Sequence, residues 1–252
     1  MQRKPYFAPS LPRVFAHRGL ATNAPENTLL AFSAAVNLGV QFVETDVHGS
    51  SDGVAVISHD PDLTRLAGIR SAVSDYSMDQ LRRLDLGHGQ GFSSLAEALD
   101  AFPETRFNID IKSADAVQPA VDAIRATNAT ARVLVTSFSE ARRLAAVCQL
   151  PDVATSTGAR RFAAALAAGK LALRPTLWRV LAGVDCVQVP QTYGPIRITT
   201  APMIARLHAA GVEVHVWTIN DEKTMNELLD LGVDGLVTDR ADLALGVLRA
   251  RS

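Results

Sequence analysis

The fold of this chain is constrained most by three junctions of one form. In each of them, a helical segment passes through glycine into an apolar strand. They are Leu38-Gly39-Val40, Ala210-Gly211-Val212 and Leu231-Gly232-Val233. Glycine suits the left-handed residue that closes a helix before a buried strand begins. A recurring helix–glycine–strand unit is typical of stacked βαβ units, and therefore predicts a parallel sheet.

The same alternation of β-branched runs and Ala/Leu-rich helical runs continues along the whole chain. The strand candidates begin at Val14, Phe42, Val54, Arg106, Val133, Val153, Cys186, Val212 and Gly235. No Gly-rich dinucleotide fingerprint follows the first of them, which favours a closed barrel over an open nucleotide-binding sheet. We therefore predict an α/β fold, a TIM-type (β/α)8 barrel, formed by residues 1–252 as a single domain.

One connection breaks the parallel rule. The link between Val47 and Val54 is too short for a crossover helix, and it contains the turn signal Asp52-Gly53. We predict an antiparallel β-hairpin here, near the N-terminus, which explains nine strand candidates in a barrel that needs eight. Residues 65–91 are predicted to form a short insertion beside the barrel, with a loop at its end and no phosphate cradle.

Composition excludes several classes of protein. The net charge is -1, with 20% charged residues and no block of like charges, so neither a nucleic-acid groove nor a membrane-binding basic patch is supported. Prolines interrupt the first fifteen residues, and no apolar run approaches the length of a membrane span. We expect a cytoplasmic protein without stable membrane association, with Cys148 and Cys186 as buried free thiols. The sequence carries no signal of oligomeric state.

Two candidate strands carry ionisable residues on one face only. Residues two apart in a strand share a face, and the apolar face of each strand is expected to pack under helices. The charged faces should then point into the barrel mouth. They carry Glu44, Asp46 and His48 on one strand and Asn108, Asp110 and Lys112 on the other.

Three of these side chains, Glu44, Asp46 and Asp110, are carboxylates that would repel one another unless a cation lay between them. All-oxygen ligation selects a hard ion, so we predict a Mg²⁺ or Ca²⁺ site. The simpler alternative is a set of ordinary salt bridges to Lys112 or to surface arginines. Two alternating acidic strands favour the metal site over that alternative.

Two histidines, His17 and His59, stand at the ends of candidate strands. Active sites of barrels form at the C-terminal ends of their strands, and a nearby carboxylate favours the imidazolium form. Such histidines can donate and accept protons near neutrality. Arg18 and Lys112 add cationic donors suited to phosphoryl oxygens, so the combination predicts a phosphoryl-transfer site.

Short motifs follow one another in order from Arg13 to Asp239. They are His17-Arg18-Gly19, Pro25-Glu26-Asn27-Thr28, Glu44-x-Asp46, Asp52-Gly53, His59-Asp60, Asn108-Ile109-Asp110-Ile111-Lys112, Ser137-Phe138, Trp217-Thr218-x-Asn220 and Gly235-Leu236-Val237-Thr238-Asp239. Each motif is weak alone, but the ordered set resembles the signature of the glycerophosphodiester phosphodiesterase family, in the PLC-like phosphodiesterase superfamily.

That resemblance implies a role for each matching residue. It implies that His17 and His59 are the general acid/base pair, and that Glu44, Asp46 and Asp110 bind the divalent cation. It further implies roles for the remaining matches: phosphate contacts for Arg18 and Lys112, support of Arg18 and the metal shell by Glu26 and Asn27, and a place in the substrate mouth for Trp217.

The activity implied is hydrolysis of a small glycerophosphodiester to sn-glycerol 3-phosphate and an alcohol. One departure stands out, because the family usually has Glu where this chain has Asp110. A side chain shorter by one methylene leaves the identity of the metal and the rate open, but not the reaction class. The sequence does not decide between water and the glycerol 2-hydroxyl as the nucleophile.

Three other functions remain as alternatives. A lysophospholipase D-like or sphingomyelinase D-like activity would need an apolar entrance, of which the polar insertion gives little sign. A non-catalytic phosphodiester-binding protein would have no need of both His17 and His59. A barrel enzyme of another chemistry, such as an aldolase, leaves the ordered motif set unexplained.

Overall fold

The computed structural model describes residues 4–251 and confirms the predicted barrel. Residues 1–3 and residue 252 lie outside the described part. The strands are β1 (Arg13–His17), β2 (Phe42–Gly49), β3 (Ala55–Ile57), β4 (Arg106–Ile111), β5 (Val133–Thr136), β6 (Ala154–Thr155), β7 (Cys186–Pro190), β8 (Thr192–Tyr193), β9 (Ile196–Arg197), β10 (Glu213–Trp217) and β11 (Gly235–Thr238).

Helices cover the outside of these strands. They are α1 (Leu29–Asn37), α2 (Thr64–Ala67), α3 (Met78–Arg82), α4 (Leu95–Ala101), α5 (Val117–Ala126), α6 (Glu140–Val147), α7 (Ala159–Lys170), α8 (Arg174–Leu181), α9 (Ala201–Ala209), α10 (Glu222–Asp230) and α11 (Ala241–Arg251). The glycines of the three repeated junctions, Gly39, Gly211 and Gly232, all have positive φ, which confirms that they close α1, α9 and α10.

Eight parallel strands run in the order β6-β5-β4-β2-β1-β11-β10-β7. No ladder joins β6 to β7 in the described chain, but the backbone N–H of Asp185 donates to the carbonyl of Thr155 at 2.9 Å. Lys4 Nζ donates to the Val153 carbonyl and to Asp185 Oδ2, at 2.8 and 2.9 Å. Hydrogen bonds across this junction therefore bring the two ends of the sheet together.

The hairpin lies where it was predicted: β3 pairs with β2 antiparallel, with Val47 opposite Ile57. Sequence reasoning missed β8 and β9, a two-stranded antiparallel sheet after β7. The strands are only two residues each, too short for an alternating pattern to identify them.

The barrel has separate inner and outer apolar clusters. The inner cluster contains Tyr6, Phe7, Phe15, Phe42, Leu134, Ala154, Cys186 and Val237. Since Phe42 lies inside while Val43 and Val47 pack outside under helices, the alternation of β2 divides its side chains between the two clusters. Glu44 and Asp46 share the inner face with Phe42 and lie further along the strand, toward its C-terminal end.

Residues 65–91 pack beside the hairpin on a small apolar cluster that also includes a residue of β3 and residues on either side of the segment. Its buried members are Val56, Leu63, Val73, Met78, Leu81 and Phe92. The loop at the end of this segment is a hydrogen-bonded turn, in which Leu86 N–H donates to the Gln90 carbonyl at 2.8 Å.

Both cysteines are free, as expected, but the expectation that both are buried is wrong for Cys148. Cys186 lies in the inner cluster, whereas Cys148 is exposed at the end of α6. Between residues 4 and 251, no helix has the combined length and apolar character needed to cross a membrane.

Candidate active site

Strand register brings the predicted carboxylates together at the C-terminal end of the barrel. Asp46 on β2 lies directly opposite Asp110 on β4, and His17 on β1 lies opposite Glu44. Adjacent strands are about 4.8 Å apart, so four side chains from three neighbouring strands share one small region. Glu44, Asp46 and Asp110 are all buried.

A tight turn after β1 places Arg18 over this region. Arg18 has φ 56° and Gly19 has φ 83°. A Cβ at Gly19 would meet the backbone of Ala31 at 2.7 Å, so only glycine fits there. The Arg18 N–H is fixed by the Glu44 carbonyl at 2.9 Å, and its left-handed backbone carries the strain expected of a non-glycine residue.

Asp46 is the residue with the most polar contacts at the mouth. Its Oδ2 accepts a hydrogen bond from Asn27 Nδ2 at 3.1 Å and lies 3.3 Å from Arg18 Nε. Its Oδ1 lies 2.8 Å from Lys112 Nζ, which is also 2.8 Å from Asp110 Oδ2. Lys112 therefore bridges two of the three predicted metal ligands, as in the alternative of ordinary salt bridges.

The loop before α1 supports Arg18 from its other side. Glu26 Oε1 accepts from Arg18 Nη1 at 3.0 Å and lies 2.6 Å from Arg65 Nη2. Arg65, at the start of the inserted segment, also lies 2.5 Å from Asp60 Oδ2. A chain of alternating charges thus connects the β1 turn, the insertion and the loop after β3.

His17 is held by a carboxylate from the last strand connection. Its Nδ1 lies 2.7 Å from Asp239 Oδ1, and its Nε2 lies 3.8 Å from Glu44 Oε2. Asn220 donates to Asp239 Oδ2 at 2.7 Å and accepts from the Asp239 N–H at 2.9 Å. The ring therefore has a fixed orientation, with Nδ1 on Asp239 and Nε2 on the side of the carboxylates.

His59 has the same type of partner. Its Nδ1 lies 2.8 Å from Asp60 Oδ1, and its backbone carbonyl lies 3.3 Å from His48 Nε2. Both histidines thus use Nδ1 for a carboxylate, which leaves Nε2 as the nitrogen available for proton transfer.

Burial and neighbouring charges shift the pKa values of the three carboxylates. Burial, and then the charge of Asp46, raises the pKa of Glu44 to about 8. Burial also raises the pKa of Asp110, against the opposing effect of Lys112. Burial acts in the same direction on Asp46, but Lys112 and Arg18 together hold its pKa below the ordinary value.

The pKa of His17 shifts upward. Burial alone would lower it, but the hydrogen bond to Asp239 and the charge of Glu44 raise the pKa above the usual value for histidine. The shift stabilises the imidazolium form relative to that of a free histidine, which is the direction that a proton donor requires.

The donor set fits a hard cation. Asp110 Oδ1 is buried without a hydrogen-bond partner, and Glu44 is buried beside the charge of Asp46. Both features match oxygen ligands for Mg²⁺ or Ca²⁺. Within residues 4–251, no three His, Cys, Asp or Glu side chains are already arranged around one metal position. Glu44, Asp46 and Asp110 are the residues that would hold the ion.

Glu44 should make the metal-free protein less stable as the pH rises. The unfolded pKa of glutamate is about 4.3, whereas the folded pKa of Glu44 is about 8. The stability that protonated Glu44 contributes is fully present below the unfolded pKa and is lost as the pH rises through the folded pKa. Between these two pKa values the free energy of unfolding falls by up to about 1.4 kcal/mol per pH unit. We expect the Tm in chelator to fall across this window, and to fall less steeply in Glu44→Gln. Equal slopes in the two proteins would count against this assignment.

Two aromatic side chains stand beside the charged residues. Trp217 ends β10 and packs edge-on against Phe138, with ring centroids 6.0 Å apart. Phe138 follows β5, is 58% exposed, and has Lys112 Nζ 5.7 Å from its ring centroid. Trp217 is only partly buried, so it remains available to line a substrate entrance.

Sequence reasoning assigned no role to three residues of this arrangement: Asp60, Arg65 and Asp239. Asp60 and Asp239 belong to motifs at strand ends, and that position was an available signal. Arg65 carries no comparable signal, because it lies in the insertion and reaches Glu26 across 39 residues of sequence.

Comparison with known proteins identifies the family of the chain. The model of the glycerophosphoryl diester phosphodiesterase family matches residues 17–243. The probable glycerophosphodiester phosphodiesterase 2 of Mycobacterium tuberculosis is 43% identical over 238 residues, which cover 94% of this chain and 90% of that protein.

Two solved structures have the same fold. A phosphodiesterase of Oleispira antarctica, solved with the product sn-glycerol 3-phosphate, has TM-score 0.79 and 24% identity, with 95% of this chain and 97% of that chain covered. A glycerophosphodiester phosphodiesterase of Agrobacterium tumefaciens has TM-score 0.78 and 23% identity, with 95% and 100% covered.

Fold, site and comparisons together define a phosphodiester hydrolase built on a TIM-type barrel. The chain belongs to the glycerophosphoryl diester phosphodiesterase family, which confirms the family predicted from the order of the motifs.

Proposed function

We propose that the protein hydrolyses small glycerophosphodiesters to sn-glycerol 3-phosphate and an alcohol, using a divalent cation and two histidines. One observation carries the proposal. His17 and His59 are each anchored through Nδ1 to a carboxylate at the mouth where Glu44, Asp46 and Asp110 converge. This arrangement provides two proton-transfer groups beside a hard-cation site, as phosphodiester hydrolysis requires.

Arg18 and Lys112 are the cations that would bind the non-bridging phosphate oxygens. Both now contact Asp46, at 3.3 Å from Arg18 Nε and 2.8 Å from Lys112 Nζ. Each has further N–H groups for a substrate, because a guanidinium has five donors and an ammonium has three. When bound, Mg²⁺ or Ca²⁺ would supply additional positive charge to the phosphoryl oxygens.

The two imidazoles divide the proton transfers between them. One imidazole accepts, at its Nε2, the proton of the attacking hydroxyl, while the oxygen of that hydroxyl forms a bond to phosphorus. The other donates a proton to the alcohol oxygen as the phosphorus–oxygen bond breaks. The raised pKa of His17 suits it to the donor role. Water attacking directly, or attacking after the glycerol 2-hydroxyl forms a cyclic phosphate, gives the same products.

Asp239 should matter for turnover more than for substrate binding. Asp239→Asn keeps the shape of the side chain but removes the charge that orients His17 through Nδ1. We expect kcat to fall by about 10²-fold with KM nearly unchanged, because proton transfer depends on the ring's orientation and protonation. Steady-state kinetics with one glycerophosphodiester measures both parameters. A rise in KM alone would contradict this role.

The direct test is a panel of glycerophosphodiesters incubated with the purified protein and Mg²⁺ or Ca²⁺. We expect sn-glycerol 3-phosphate and free alcohol, identified by phosphorus NMR and an enzymatic assay. A parallel incubation with lysophospholipids tests the lysophospholipase D alternative. Exclusive turnover of the lysophospholipids would overturn the proposal in favour of that activity, and cation binding without turnover would favour a binding protein.

A further inference from the structure

A second feature of the barrel mouth is a cavity of about 490 Å³ beside Lys112. It lies where β5 leads into α6 and where α7 begins after β6. Its lining residues are Phe138, Ser139, Glu140, Ala141, Arg142 and Arg160. A cavity of this volume suits a small-molecule group.

The cavity adjoins the candidate site, and two of its lining residues contact Lys112. Phe138 forms part of its wall, and the Phe138 ring centroid also lies 5.7 Å from Lys112 Nζ and 6.0 Å from the Trp217 ring. Arg142 donates a hydrogen bond from Nη1 to the Lys112 carbonyl. A phosphodiester bound at Lys112 can therefore extend one of its two ester groups toward this cavity.

Positive charge dominates the cavity. Its one acidic lining residue, Glu140, is already matched by ion pairs with Arg143 and Arg161, at 2.5 and 3.1 Å. Among residues 4–251, the Arg142 side chain donates only to neutral acceptors, the hydroxyl of Ser137 and the Lys112 carbonyl. Arg160 is exposed and has no ion-pair or side-chain hydrogen-bond partner within residues 4–251.

The two helices add to this potential. Both α6 and α7 begin at the cavity, and the N-terminal end of a helix carries partial positive charge. The end of α7 already has an acidic partner, because Glu140 Oε2 accepts a hydrogen bond from the Gly158 N–H at 3.0 Å. The end of α6 and the two arginines, which have no acidic partner in the described chain, favour an anion and oppose an ammonium group.

We propose that this cavity receives the alcohol side of the substrate and selects head groups that carry a negative charge, such as a carboxylate. The selectivity rests on the proposed function, since it concerns the same phosphodiester bound at Lys112. The enzyme should therefore prefer a carboxylate-bearing head group over the same head group without its carboxylate.

Two substrates allow the effect of the carboxylate alone to be measured. The glycerophosphodiesters of serine and of ethanolamine differ only by the serine carboxylate. We expect a higher kcat/KM for the serine diester, and Arg160→Gln should lower the serine-to-ethanolamine ratio by about fivefold, the effect of roughly 1 kcal/mol. Arg160→Glu should lower the ratio further, because it replaces attraction with repulsion.

A matched control is Arg249→Gln, on α11, which follows β11 on the opposite side of the barrel. It should leave the ratio unchanged, and the Tm of all variants should equal that of the wild type. An unchanged ratio in both Arg160 variants, with sn-glycerol 3-phosphate still released, would overturn the selectivity while leaving the proposed function intact. Turnover of neither diester by the wild type would overturn both.

Discussion

Replacement of either histidine should lower kcat by about 10³-fold, because in the proposed mechanism each imidazole carries one of the two proton transfers. The variants are His17→Asn and His59→Asn, which keep a polar side chain of similar size. His17 is bound to Asp239 and His59 to Asp60, at 2.7 and 2.8 Å, so neither substitution creates a large apolar cavity. We therefore expect KM to change little and the folded protein to remain stable.

The matched control for these variants is His88→Asn. His88 is exposed in the turn of the insertion, with φ 55°, a backbone conformation that asparagine tolerates. The initial rate of sn-glycerol 3-phosphate release, measured at saturating substrate, gives kcat for all three. A His59→Asn protein with wild-type kcat would show that one imidazole is sufficient, and the acid/base pair would then be wrong.

Asp46→Asn should also lower kcat by about 10³-fold, and in addition it should weaken cation binding. Asp46 is buried and contacts Arg18, Asn27 and Lys112, so its charge fixes the position of both cations. In the proposed site it would also provide one of the metal oxygens. Loss of one preorganised electrostatic group costs about 3–4 kcal/mol in the transition state.

Isothermal titration of Mg²⁺ or Ca²⁺ into wild type and variant separates the two effects. The control is Asp152→Asn, an exposed carboxylate with φ 64° that lies before β6, at the other end of the barrel. The Asp152→Asn protein should bind cation and hydrolyse substrate as the wild type does. If Asp46→Asn bound the ion with unchanged affinity, Asp46 would be a partner of Lys112 and not a metal ligand.

The fold was predictable from sequence because its signals are local. Each helix–glycine–strand junction spans a few residues, and Gly39, Gly211 and Gly232 adopt the expected backbone. The hairpin is likewise determined by the six residues between Val47 and Val54, which are too few for a crossover helix. By contrast, the Lys4 contacts across β6 and β7 join residues 149 and 181 positions apart, and no local pattern indicates them.

In the candidate site, too, features with a local sequence signal were predicted, and features that depend on long-range contacts were not. Strand alternation alone placed Glu44 and Asp46 on one face, and strand pairing then brought Asp110 opposite Asp46. The partner of His17 could not be found this way, because Asp239 lies 222 residues away and meets it only when β11 pairs with β1. Likewise, alternation indicated that Lys112 shares a face with Asp110, but not that its Nζ lies between two carboxylates.

The most direct test of the proposed metal-dependent hydrolysis is the rate of sn-glycerol 3-phosphate release as a function of free Mg²⁺ or Ca²⁺, after the protein has been stripped with chelator. We predict no turnover in chelator and saturable recovery on adding cation, with a half-saturating concentration that matches the Kd from titration. Undiminished turnover in chelator would contradict it, and would assign Glu44, Asp46 and Asp110 to the salt-bridge network around Lys112 alone.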